Sequence, residues 1–231
     1  MPEAKLNVKL LKYTENPEIT VATAAHLCYA NSKIDELQKK MNSTYAEKLI
    51  KHLIESGHYS VLEHASFTFG VEGISRTLTH QLVRHRIASY SQQSQRYVNE
   101  KEFAYVIPPK IKADSEMNKK FEEFMETSRE LYAKLSESVP KEDARFVLPN
   151  AAETRIIITM NTRSLYNFFE HRLCTRAQWE IRAMATEMLK EVTKVAPLLF
   201  SHIGPKCDSL GYCPEKKSCG RKPLKKDVIR E

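Results

Sequence analysis

The chain has 231 residues, 42% of them hydrophobic and 28% charged, a balance that suits one large soluble globular domain and can bury a sizeable core. No apolar signal core follows Met1 to Lys5 and no apolar run approaches a membrane span, so a membrane protein is excluded and a cytoplasmic location is expected. The formal net charge of +7 does not by itself indicate a nucleic-acid partner, because from Lys216 onward seven basic residues face only Asp227 and Glu231 and the body is nearly balanced.

In chain order, Lys5 to Lys12 alternates as a first strand should, and Ile19 to Tyr29 reads as a short helix carrying Cys28. Thr44-x-x-Glu47 forms a capping-box pattern before Ala46, Leu49, Ile50, Leu53 and Ile54, and Gly57 supplies the stop. His58 to His64 is a polar connector. Phe67, Phe69 and Val71 alternate with Thr68, Gly70 and Glu72 as a half-buried strand. A helix is expected over Ile74 to Ile87, with Ile74, Leu78, Gln81 and His85 on one side, so that a buried face turns polar toward its end. After Pro108-Pro109 comes a long amphipathic helix bearing Phe121, Phe124, Met125, Leu131, Tyr132 and Leu135, then a short helix opened by Pro140 that holds Arg145. Thr154 to Met160 reads as a buried strand. The pattern from Thr162 is helical, interrupted near Cys174-Thr175, and resumes with Ile181, Met184, Met188, Val192 and Val195 on one face. The expected fold class is α+β: a single domain, residues 1–204, with a small mostly antiparallel sheet flanked by long helices, followed by a basic, cysteine-containing tail over 205–231.

The usual backbone cradles for nucleotides are missing: there is no G-x-G-x-x-G turn and no Walker-type loop among six glycines. A nucleotide would have to be held by side chains, and arginine's permanent, forked charge suits phosphate best. Residues Arg84 to Tyr97 supply three arginines, a histidine, five hydroxyl side chains and three amides with no acidic residue among them. Such a segment is better suited to bind an anion than to be a solvated loop. His85 and Ser94 have no nearby carboxylate to orient the histidine, which argues against a hydrolase. Trp179, Met184 and Met188 are expected in the core, and Cys174, beside Leu173, is expected to be structural. Five cysteines, an odd number, point to free thiols. Cys207, Cys213 and Cys219 lack the tight Cys-x-x-Cys spacing, so no metal is expected. A nucleic-acid-binding protein using the basic loop and tail is the rival reading, and a metal-binding tail a third.

Arg84-His85-Arg86, then Ser94, continuing to Arg96 and Tyr97, resembles the signature of flavin-dependent thymidylate synthases. The likeness extends to His58-x-Ser60-x-x-Glu63-His64 with Phe67-Thr68-Phe69, to Gln81, to Ala144-Arg145-x-Val147-Leu148-Pro149, to Asn161-x-Arg163-Ser164-Leu165-x-Asn167-Phe168, and to Arg172 with Ala177-Gln178-Trp179-Glu180-Ile181. The resemblance implies reductive methylation of dUMP to dTMP, with methylenetetrahydrofolate as carbon donor and FAD, reduced by NADPH, as hydride source. It implies FAD binding by Ser60, Arg84, His85, Arg86, Gln92, Asn161, Arg163 and Asn167. It implies dUMP binding by Gln81, Arg84, Gln92, Gln93, Ser94, Gln95, Arg96, Arg145 and Arg172, with Arg172 set against the uracil as the catalytic group. It also implies a homotetramer with sites between subunits, and no nucleic-acid partner. Ser91 and Gln92 stand where the family commonly has asparagine and glutamate, and Arg176 where histidine also occurs.

Overall fold

A computed structural model describes residues 3–31 and 33–229. The chain is α+β. Strands β1 (Asn7–Tyr13), β2 (Ser66–Ser75), β3 (Ser89–Gln92) and β4 (Glu153–Asn161) pair antiparallel in the order β1-β2-β4-β3. The helices are α1 (Pro17–Leu27), α2 (Ile34–Lys40), α3 (Ser43–Glu55), α4 (Arg76–Leu82), α5 (Pro109–Lys112), α6 (Ser115–Leu135), α7 (Lys141–Ala144), α8 (Thr162–Arg172), α9 (Trp179–Val195), α10 (Pro197–Phe200), α11 (Lys206–Leu210) and α12 (Lys225–Val228). Among the described residues no helix is long and apolar enough to cross a membrane.

The chain packs as two compact units. The first comprises residues 1–8, 70–84 and 90–158. Its core gathers Phe103, Tyr105, Ile107, Met125 and Ala152, with Phe121 and Leu148 packed against it. Helix α6 turns Met125, Ser128 and Tyr132 inward, where the Ser128 hydroxyl donates to the Val147 carbonyl at 2.7 Å. Gly73 is obligatory here: its φ is +71°, and a Cβ would fall 1.9 Å from the Lys5 carbonyl oxygen. The second unit comprises residues 9–69, 85–89 and 159–231. Helix α1 packs on α3, and α8 on α9, around buried Val21, Ile50, Leu53, Phe168, Phe169, Met184, Met188 and Phe200. Phe67 meets Phe200 edge to face at 5.2 Å.

Several local expectations need correction. Helix α3 is capped by Asn42, whose side chain accepts from the Tyr45 N–H at 2.9 Å, so the Thr44-Glu47 box is not the cap. Within the expected polar connector, residues Tyr59–His64 form a 3-10 helix. Helix α4 covers Arg76–Leu82 only: Ile74 belongs to β2, and residues 84–87 lie beyond the helix. The Tyr90 hydroxyl donates to the Leu82 carbonyl at 3.0 Å, satisfying a terminal acceptor that another helical turn would have used. Part of the expected loop is β3, which joins the sheet beside β4. Strand β4, expected as a buried strand, buries alternate residues, Thr154, Ile156, Ile158 and Met160, along one face. Trp179 is half-buried, whereas Met184 and Met188 are in the core.

Candidate active site

In the first unit, the segment after β3 carries the amides and hydroxyls. The Gln93 N–H donates to the Arg155 carbonyl at 2.9 Å, and the Gln93 carbonyl accepts from Arg76 Nη1 at 3.4 Å. Next comes a turn in which the Ser94 hydroxyl accepts from the Arg96 N–H at 3.2 Å and the Ser94 carbonyl accepts from the Val98 N–H at 3.0 Å. Gln95 is buried, while Arg96 reaches outward and grips Glu142 at 2.8 and 2.9 Å. Helix α7 positions that carboxylate, and Arg145, at its end, donates Nε to the Glu142 carbonyl at 3.1 Å. Gln92 turns inward, its amide donating to Thr79 Oγ1 at 3.3 Å and Thr154 Oγ1 at 3.2 Å. Gln81 is half-buried on α4 and Arg84 is exposed.

Two residues absent from the sequence expectations join this cluster. The Arg76 guanidinium is half-buried, and its pKa is pushed down by desolvation and then by the charge of Arg145, against an opposing pull from Glu100. Glu100 is buried, and its carboxyl is pushed up by desolvation and by Glu153, with Arg76 and Arg155 opposing. Two like charges acting on one another are an arrangement that suits an anion. Arg76 was legible in one respect, being the one formally charged residue between Ile74 and Leu82, an otherwise neutral stretch. Glu100 carries no such signal.

In the second unit, α8 builds a different environment. Asn161 caps it, accepting from the Ser164 N–H at 2.8 Å, and Arg163 in its first turn meets Glu63 of the 3-10 helix at 2.6 Å. Phe168, His171 and Arg172 share a helical face, and His85 lies on it. The His85 ring meets Phe168 edge-on at 5.0 Å, and its Nε2 accepts from Arg172 Nε at 3.0 Å. Desolvation, then the charges of Arg172 and His171, push the His85 pKa down to about 4, despite a hydrogen bond with the Asn167 side chain that pulls it up. A neutral imidazole at pH 7 can accept from the guanidinium, so His85 orients Arg172 without adding a charge of its own. Ser60, Arg86 and Asn167 are exposed in the same unit.

The sequence-predicted residues therefore divide. Gln81, Arg84, Gln92 to Arg96 and Arg145 belong to the first unit, and Ser60, His85, Arg86, Asn161, Arg163, Asn167 and Arg172 to the second.

Comparison with known proteins matches residues 9–198 to the family described as thymidylate synthase complementing protein. The chain is 52% identical to a flavin-dependent thymidylate synthase of Clostridium tetani, covering 94% of each chain. It is 52% identical to that of Geobacter sulfurreducens, over 98% of this chain and 99% of the relative. The enzyme of the same name from Pyrococcus furiosus is 44% identical over 96% of each.

Proposed function

The chain belongs to the flavin-dependent thymidylate synthase family, and from that premise we propose that it converts dUMP to dTMP with methylenetetrahydrofolate as carbon donor and NADPH as reductant. The observation that carries the nucleotide reading is the pairing of like charges at Arg76 and Arg145 beside the Ser94–Arg96 turn. That arrangement costs free energy until a dianion such as a nucleotide phosphate occupies it. Arg96 is held by Glu142, but both partners are about half exposed, so a phosphate can compete for the guanidinium at little cost.

The donors of the second unit fit FAD. Ser60, Arg86, Arg163 and Asn167 are exposed, and Arg163 shares its charge with Glu63 in an exposed ion pair that a diphosphate can displace. Ser60, Arg84, His85, Arg86, Gln92, Asn161, Arg163 and Asn167 would hold the cofactor. When bound, FAD would supply the redox chemistry, accepting hydride from NADPH and serving as the hydride source for the methyl group. Gln81, Gln92, Gln93, Ser94, Gln95, Arg96 and Arg145 would hold dUMP. Arg172 would face the uracil and favour its ionised form, and it can do so because a guanidinium keeps its charge when desolvated. His85, neutral, fixes the direction of that guanidinium without cancelling it. Residues 1–204 are the catalytic part, 205–231 an appendage, the assembly is a homotetramer with sites between subunits, and the location is cytoplasmic.

The test is gel filtration of the protein after incubation with FAD, followed by tritium release from 5-tritiated dUMP in the presence of NADPH and methylenetetrahydrofolate. Retained flavin at about one per chain and folate-dependent release are expected. Folded protein that retains no flavin and instead holds nucleic acid in a salt-dependent way would favour the rival reading.

A further inference from the structure

None of the five cysteines has a place in the proposed reaction, and the fold draws four of them into one lobe. Cys174 lies in the break between α8 and α9, two residues after Arg172, and α11, which carries Cys207, packs on α8. The Cys207 thiol is close enough to Cys174 and Cys213 to feel both, and Cys219 bonds with the side chain of Thr175. The tail's other straps reach the same place: Arg176 pairs with Glu215 at 3.0 Å, and Arg221 forks onto Asp208 at 2.9 and 2.5 Å. Cys213 is held by its own N–H donating to the Pro223 carbonyl at 2.6 Å and by a bridge to Leu224.

What holds this lobe is not a hydrophobic core. From Pro205 onward, Pro205, Cys207 and Cys213 are the buried residues among those described, while Leu210, Val228 and Ile229 are exposed. Surface ion pairs contribute little to stability. A loop-rich lobe of this size with two thiols at its centre is the kind that needs a covalent or metal staple.

We infer that Cys174, Cys207, Cys213 and Cys219 are the thiolate ligands of one thiophilic metal centre, a tetrahedral zinc or an iron–sulfur cluster, that fastens the tail to the loop after α8. Four thiolates around a divalent ion carry a net double negative charge, and the lobe supplies the compensation: Arg221 acts on both Cys207 and Cys219, and Lys216, Lys217 and Lys222 add to it. The basic surplus of the tail thereby acquires a local role. Among the described residues no group of three or more histidine, cysteine or acidic side chains is gathered tightly enough to hold an ion as the chain stands. The ligands close by side-chain rotation, since one rotamer step moves a cysteine sulfur by about 3 Å. Metal binding and ordering of the lobe are then one event.

The test uses the full chain, purified under reducing conditions, and does not depend on turnover. Zinc, iron and acid-labile sulfide are measured per chain, as isolated and after reconstitution with zinc or with iron and sulfide under argon. About one centre per chain is expected, zinc without sulfide identifying the ion and iron with sulfide the cluster. Cys207→Ser, Cys213→Ser and the exposed-site variant Cys219→Ser should each lower metal content or affinity at least about tenfold, and Cys28→Ser should not. Metal below about a tenth of a centre per chain after both reconstitutions would overturn the inference. So would a disulfide among these four cysteines in the isolated protein, or equal retention by Cys28→Ser and Cys219→Ser.

Discussion

The arginines of the first unit and Arg172 of the second carry the same charge under opposite conditions. Arg96 stands in solvent with a carboxylate partner, and Arg76 is balanced in part by Glu100. Arg172 is half-buried and donates to a neutral ring. The contrast separates two uses of a guanidinium. Screened, exchangeable charge suits capture of a mobile phosphate, whereas a partly desolvated charge held in a fixed direction suits stabilising a charge that develops during reaction.

The sharpest way to break this contrast is Arg172→Ala. Turnover should fall about 100- to 1,000-fold with flavin retained, as measured by tritium release and by the flavin absorbance of the desalted protein. Equal loss of flavin and turnover would place Arg172 with the cofactor-binding groups instead. Arg76→Ala should weaken dUMP binding about 10- to 100-fold in a calorimetric titration while leaving flavin binding intact, which would establish a phosphate role that the sequence motifs do not include.

The pH dependence sharpens the comparison from the other side. The folded-state pKa of His85 is depressed to about 4 from its ordinary 6.5, so the unfolded chain binds the proton more readily. The stability linked to this residue is fully present above pH 6.5 and is lost as pH falls through 4. Thermal melting of the flavin-free protein from pH 7 to 4 should show this loss, and His85→Gln should flatten it. Asn42→Ala, which removes the cap of α3 outside both clusters, should cost about 1 kcal/mol of stability and leave dUMP affinity unchanged, giving a baseline for purely structural damage. The smallest effect belongs to Glu142→Gln: dUMP affinity should change by less than about threefold, because the ion pair it removes is exposed.

Where the chain's local pattern and its environment agree, the sequence was readable. The interruption at Cys174, the strand alternating through Phe67, Phe69 and Val71, and the short helix after Pro140 all emerged because each is set by neighbours in sequence, although that helix ends at Ala144 and Arg145 lies in the 3-10 turn that follows. Helix α4 was extended too far because no glycine or proline follows Leu82, and its end depends on a hydrogen bond from Tyr90. Polar β3 reads as loop because its pairing with β4 is its main support. The same limit applies to the candidate site. The motif placed Arg84 to Arg96 and Arg172 in view, but Arg76 gains meaning only from its proximity to Arg145, and the tail cysteines only from Cys174 arriving beside them from a distant part of the chain.

The most direct test is a difference-spectrum titration of FAD-loaded protein with dUMP, wild type beside Arg172→Ala. Both proteins should retain flavin at about one per chain, and only the wild type should show a saturable change in the flavin band. A wild type that retains no flavin, or an Arg172→Ala protein that binds and methylates dUMP normally, would contradict the assignment.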